Sequence, residues 1–212
     1  MSRNLPLTCN TDLSGWTFAQ RWNTAPIGAR LQQRGLSYAW HVATRVVLAE
    51  DSYIVREGIE QLLAGNEELE LVASCSDLGS LLEAIDREAP DAVLTDIRMP
   101  PRQSDEGIQI AARLREEHPE IGVVVLSQYS DPTYALRLLD EGCEGRAYLL
   151  KERVHDRREL VAAIEAVAEG GSVIDPKVVE ALIEAAKRAR KVIEKQVDAD
   201  AEELKRELEA AT

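Results

Sequence analysis

Basic residues are in deficit: 25 Lys and Arg stand against 38 Asp and Glu in 212 residues, a formal net charge of −13. That balance excludes non-specific nucleic-acid binding by the whole chain, which rests on neutralising phosphates with cationic side chains. Cysteine is scarce. Cys9, Cys75 and Cys143 are an odd number without metal-ligand spacing, which excludes a disulfide scaffold or zinc module; Cys75 and Cys143, in or beside apolar runs, read as small buried thiols in a reducing compartment. No apolar stretch approaches the roughly 20 residues that cross a bilayer, and the N-terminus lacks the apolar core of a signal peptide. A soluble cytoplasmic protein, with no membrane partner, is expected. Aromatics make up only 4% of the chain, and all three Trp and the one Phe lie within the first 40 residues. The 45% apolar composition suffices for a core.

Charge divides the chain near Thr44. Residues 1–44 hold four Arg and one Asp, a net +3 that leaves −16 for the remainder. Residues 1–43 show neither helical nor strand periodicity and are dotted with Asn, Thr, Gly and Pro; they read as a poorly ordered N-terminal extension. From Thr44 the pattern becomes regular: strand 44–50, helix 52–64, strand 69–75, helix 78–88, strand 91–96, helix 104–118, strand 122–127, helix 132–141, strand 146–150, helix 157–169. Five strands alternating with five helices predict an α/β domain over 44–175, a parallel sheet covered on both faces. Right-handed crossovers give a flavodoxin-like order 2-1-3-4-5, with its switch point between the first and third strands.

The stretch Ala92-Val93-Leu94-Thr95-Asp96-Ile97-Arg98-Met99-Pro100 reads as a buried strand that delivers Asp96 to its C-terminal tip, with Thr95 turned to the core. Other apolar runs end in Glu50-Asp51, in Ser127 and in Lys151. Strand tips are where ligands bind in open α/β sheets. Singly these residues have ordinary roles: an Asp after a strand caps a helix, a Lys is a solvated charge, a Ser caps a turn. Their convergence at one sheet edge points to a site. Three carboxylates there repel, by roughly 4 kcal/mol for two unit charges about 4 Å apart at an effective dielectric of 20. Mg²⁺ relieves such a cluster because it takes oxygen ligands and is content with one or two carboxylates plus a phosphate oxygen.

This constellation resembles the receiver domain of bacterial two-component response regulators, over Thr44 to Ile183. The matching pieces are Glu50-Asp51, Asp96 in "DIRMP", Ser127, Tyr148 in the fifth strand and Lys151 at its tip. The segments "MPPRQSDEGIQIA", "AYLLKERV" and "GGSVIDPKVVEALI" are similar to the nitrate-regulator-like subfamily, whose members continue into a C-terminal helix-turn-helix. The resemblance implies that Asp96 accepts a phosphoryl group from a sensor histidine kinase. It implies that Asp51, Asp96 and the backbone carbonyl of Arg98 ligate Mg²⁺, with Glu50 acting partly through water. Lys151 and Ser127 then contact the phosphoryl oxygens, and Ser127 with Tyr148 forms a switch pair acting on the fourth helix, fifth strand and fifth helix. Such a chain phosphorylates and dephosphorylates itself at most and is not a classical enzyme. An aspartyl-phosphate hydrolase would need an acid two residues after the nucleophile, where Arg98 stands, and neither G-x-G-x-x-G nor a P-loop follows the first strand.

After Asp175-Pro176, residues 177–212 hold no Gly or Pro, and the last 32 residues contain 21 Ala, Glu, Lys or Arg. A helical extension over 176–212 is expected, with Glu184/Arg188 and Glu202/Arg206 spaced to pair. Asp200 with Glu203 resembles a capping box, which places a break near Val197–Asp200 and a second helix over 201–211. Leu182, Ala186, Ile193, Val197, Leu204 and Leu208 approximate a heptad seam, interrupted by Arg190 and Asp200. A homodimer through this helix or the receiver, and an engineered replacement of an output domain, are both open readings. The threonine-x-arginine-glutamate opening of a DNA-reading domain does not occur, so DNA binding does not carry over. The competing function is a constitutively dimeric scaffold in which phosphorylation is incidental.

Overall fold

In the computed structural model, which describes residues 43–210, one sheet of six parallel strands has the order β2-β1-β3-β4-β5-β6. The strands are β1 (Thr44–Ala49), β2 (Leu69–Cys75), β3 (Ala92–Asp96), β4 (Gly122–Ser127), β5 (Arg146–Leu150) and β6 (Ser172–Ile174). The helices are α1 (Tyr53–Leu63), α2 (Leu78–Glu88), α3 (Glu106–Glu117), α4 (Pro132–Leu139), α5 (Arg157–Ala168) and α6 (Pro176–Ala210). The extension expected over residues 1–43 and Cys9 lie outside the described residues, apart from residue 43. Among the described residues no helix is long and apolar enough to cross a membrane.

Alternation along the strands builds two cores, one on each face. Val47, Ala49, Val93, Val123, Val125 and Tyr148 face α2, α3 and α4 through Leu81, Ile110 and Leu138. Val46, Leu48, Leu94, Val124, Leu126 and Ala147 face α1 and α5 through Ile59, Leu160 and Ile164. Burying each such aliphatic side chain is worth about 1.5–3 kcal/mol. The caps follow local chemistry: Asp77, Asp131 and Asp156 each accept a backbone amide at the start of α2, α4 and α5.

The sixth strand corrects the expected count of five. Ser172–Ile174 pairs with Arg146–Tyr148 of β5, and its three residues, after Gly170-Gly171, are too few to show periodicity. α6 is a second correction, because it runs unbroken through Val197–Asp200 to Ala210. Asp200 accepts from Gln196 Nε2 at 2.7 Å, one turn back, and so stabilises a helix interior instead of capping a new start. Glu184 pairs with Lys187 at 2.8 Å, not with Arg188, whereas Glu202 and Arg206 meet at 3.8 Å. Cys75 is buried, but Cys143 is exposed in the turn before β5.

Gly122 sets the spacing between β4 and α5. A Cβ at this position would stand 2.5 Å from the backbone carbonyl of Val167, and a backbone cannot rotate away as a side chain can. Gly122→Ala is expected to cost about 2–3 kcal/mol, read as a fall in the urea midpoint at unchanged slope.

Candidate functional site

Because all six strands run parallel, their C-terminal tips share one edge. β1 and β3 are neighbours in register, which brings Glu50, Asp51 and Asp96 together; one carboxylate oxygen from each lies within 4.8 Å of the others. β4 and β5 complete the edge with Ser127 and Lys151. The cleft, about 260 Å³, is lined by Asp51, Asp96, Ile97, Arg98, Gln103, Ser127 and Tyr129 among others.

Lys151 reaches back over this cluster. Its Nζ lies 2.7 Å from Glu50 Oε2 and 2.8 Å from Asp96 Oδ2. Burial raises the carboxyl pKa values of both Glu50 and Asp96, with the ammonium of Lys151 pulling the other way. Burial also opposes the charge on Lys151, but the two carboxylates outweigh it and its pKa is raised. Asp96 Oδ1 accepts the Ile97 amide at 2.7 Å. Glu50 is held by the Ser52 amide on Oε1 at 3.2 Å, and its carbonyl by Arg56 Nη1 at 2.7 Å. Asp51 accepts from Gln103 Nε2 at 3.2 Å.

Ser127 and Tyr148 meet at one acceptor. The Ser127 hydroxyl donates to the Tyr129 carbonyl at 2.8 Å and accepts the Tyr129 amide at 3.1 Å; the Tyr148 hydroxyl donates to the same carbonyl at 3.2 Å. Tyr148 is fully buried. Arg98 sends its side chain outward onto the Tyr134 ring, 5.7 Å from the centroid. Thr95 is buried and donates to the Asp96 carbonyl at 3.0 Å.

Two supports were not visible in the sequence pattern. Glu106, at the first turn of α3, is completely buried and accepts the amides of Ser104 at 2.8 Å, Arg102 at 3.2 Å and Met99 at 3.4 Å. It thereby fixes the loop that follows Asp96. Gly107 lets α3 close on that loop: a Cβ there would fall 2.1 Å from the Asp96 carbonyl oxygen, and its amide donates to Ile97 O at 2.9 Å. A Glu-Gly pair opening a helix is the signal that a closer reading could have used.

Residues 46–165 match the response regulator receiver domain. The chain belongs to that family. It is 35% identical over 144 residues to the transcriptional regulatory protein DegU of Brevibacillus brevis, covering 68% of this chain and 58% of DegU. It is 30% identical to the oxygen regulatory protein NreC of Staphylococcus haemolyticus, covering 66% of this chain and 61% of NreC. The chain therefore spans about three fifths of the length of these curated relatives. Among solved structures, the receiver domain of the NarL response regulator from Mycobacterium tuberculosis superposes with a TM-score of 0.53 at 30% identity, covering 60% of this chain and 98% of that one. The chain is thus a receiver of NarL and DegU type, with the flavodoxin-like fold extended by one strand and a helix.

Glu106 gives this receiver a pH-dependent brace. Burial alone would raise its pKa, yet the amides at Glu106, Ser104, Met99 and Arg102 together hold it below the ordinary 4.5. A depressed carboxyl contributes stability that is present above its unfolded pKa and lost as pH falls through the folded one. Glu106→Gln should cost about 1–3 kcal/mol at pH 7, and the gap between variant and parent in urea melts should narrow as pH drops below 4.5.

Proposed function

We propose that Asp96 is the phosphoacceptor of a phosphorylation-dependent response regulator served by a sensor histidine kinase. The observation that carries this reading is the double ion pair of Lys151 with Glu50 and Asp96, which sets a mobile cation beside a nucleophilic carboxylate in an open cleft. An Asp96 carboxylate oxygen attacks the phosphorus of a phosphohistidine, the P–N bond breaks with its electron pair passing to the imidazole, and an acyl phosphate remains on Asp96. Lys151 shifts its charge from the carboxylates to the phosphoryl oxygens, and the Ser127 hydroxyl donates to another.

The donor set, three clustered carboxylates and no nitrogen or sulfur ligand, fits Mg²⁺. Asp51, Asp96 and the Arg98 carbonyl would hold it, with Glu50 acting partly through water. Bound there, it supplies charge neutralisation for the phosphoryl group. The shared Tyr129 carbonyl supports the switch. When Ser127 turns to the phosphoryl group it releases that carbonyl, Tyr148 is left as its remaining hydroxyl donor, and the face made by α4, β5 and α5 rearranges. DegU is named a transcriptional regulatory protein; output through transcription, in the cytoplasm where a kinase delivers phosphate, is the corresponding role for this chain. Exposed Val192, Ile193 and Val197 on α6 favour a second reading, a scaffold dimerised through this helix whatever its phosphorylation state.

The test is incubation with Mg²⁺ and a small acyl-phosphate donor, followed by phosphate-affinity electrophoresis. The parent should shift and Asp96→Asn should not; labelling that survives in the variant would sink the assignment. Beryllofluoride in amide hydrogen exchange separates the two functions: a switch changes protection on the face of α4, β5 and α5, and a scaffold leaves it unchanged.

Asp96→Asn should also stabilise the fold. A carboxyl whose folded pKa is raised contributes stability below its unfolded value, near 3.8, and loses it as pH rises through the folded one, so at pH 7 the charged form is a net cost. A gain of about 1 kcal/mol, a few degrees in Tm, is expected from calorimetry. Lys151→Met should slow labelling by about 10²-fold.

A further inference from the structure

From Ala186 onward α6 leaves the receiver, and every residue whose side chain is described there is exposed. The projecting 25 residues of α6 span about 37 Å at 1.5 Å per residue. Val192, Ile193 and Val197 are 67%, 62% and 58% exposed on it. The apolar pattern repeats every eleven residues: Ala186, Val197 and Leu208 form one set, and Ile193 and Leu204 continue another that starts at Leu182, itself packed against the receiver. Eleven residues in three turns is 3.67 per turn, close to the natural 3.6, so the stripe keeps to one side of a straight helix where a heptad would drift. Asp200 interrupts the stripe only once.

Charge along this arm is divided in two. Over residues 186–195, Lys187, Arg188, Arg190, Lys191 and Lys195 oppose Glu194, a net +4. Over residues 196–210, six acidic residues oppose Lys205 and Arg206, a net −4. A parallel twin would set basic beside basic and acidic beside acidic. An antiparallel twin sets each basic half beside an acidic half and brings Lys187 and Arg188 of its partner towards Glu207 and Glu209.

We propose that α6 pairs antiparallel with α6 of a second copy of this chain, through the eleven-residue stripe and the opposed charge halves. The two receivers then lie at opposite ends of the paired helices. This goes beyond the reading of Asp96 and does not depend on it, so Asp96→Asn serves as a background in which the pairing must persist.

Sedimentation velocity on the full chain, parent and Asp96→Asn, should show a concentration-dependent dimer in both. Because the charge complement is exposed and screened, association should weaken about tenfold between low and high salt. Ile193→Asp with Val197→Asp should abolish the dimer at an unchanged receiver Tm. Orientation is read in a Cys9→Ser/Cys143→Ser background carrying Lys187→Cys or Glu207→Cys. Mixed chains should form the intermolecular disulfide, and each chain alone should not. A monomer at every concentration overturns the proposal, as do self-disulfides of each single variant, which mean parallel pairing. A duplex DNA probe that binds the basic half of a chain without self-association also overturns it.

Discussion

Three carboxylates cannot share one sheet edge without a cation, and Lys151 is the cation that the fold itself supplies. It sits at hydrogen-bond distance from two of them, Glu50 and Asp96. Burial raises the pKa of both, so the ionised pair costs free energy that the aliphatic layers on either side of β1 and β3 must offset. The neighbouring structure holds that arrangement open. Glu106 fixes the backbone after Asp96, Gly107 lets α3 approach it, and Arg56 fixes the Glu50 carbonyl.

The same lysine stands at the head of a short 3-10 turn, Lys151–Arg153. Two residues on, Arg153 Nε lies 2.7 Å from Asp175 Oδ2, and the Asp175 amide donates to the Tyr148 carbonyl at 2.9 Å. Glu152 pairs with Lys177 in the first turn of α6. The base of the projecting helix is therefore tied by backbone to β5 and by charge to the turn after it; β5 carries Tyr148, which shares the Tyr129 carbonyl with Ser127, and the turn begins with Lys151. The short strand β6 is what makes this possible, since it places Asp175 beside Tyr148 before α6 begins.

What was legible in the sequence was the part dictated by periodicity. Apolar runs closed by Asp96, Ser127, Glu50-Asp51 and Lys151 gave the parallel sheet and the residues its edge collects, because strand ends and side-chain polarity are local signals. The supports were not legible. Glu106 reads as a solvated acid in the first turn of a helix, and only the tertiary structure shows it buried beneath the amides of its own loop. β6 is too short to carry a period. The expected break in α6 failed because a local capping pattern at Asp200 competes with an i−4 bond from Gln196, and in an uninterrupted run of good helix formers the latter prevails. Cys143 follows an apolar stretch yet lies in the turn beyond it.

The two ends of the sheet solve the burial of charge in different ways, and the difference decides which one can act. At the opposite edge Arg146 is almost completely buried, and its guanidinium donates to the carbonyls of Ala111, Ile121 and Gly145, with no carboxylate partner among the described residues. Burial pushes its pKa down to about 10, so it remains protonated at neutral pH, held by fixed backbone dipoles that cannot be exchanged for a ligand. At the Asp96 edge the charges belong to side chains, they sum to an excess of two negatives over Lys151, and they line an open cleft. A guanidinium held by carbonyls is fixed in place, whereas the carboxylates that share Lys151 face an open cleft. Parallel strands place both edges in every such sheet, but only the C-terminal one combines unsatisfied charge with room to satisfy it.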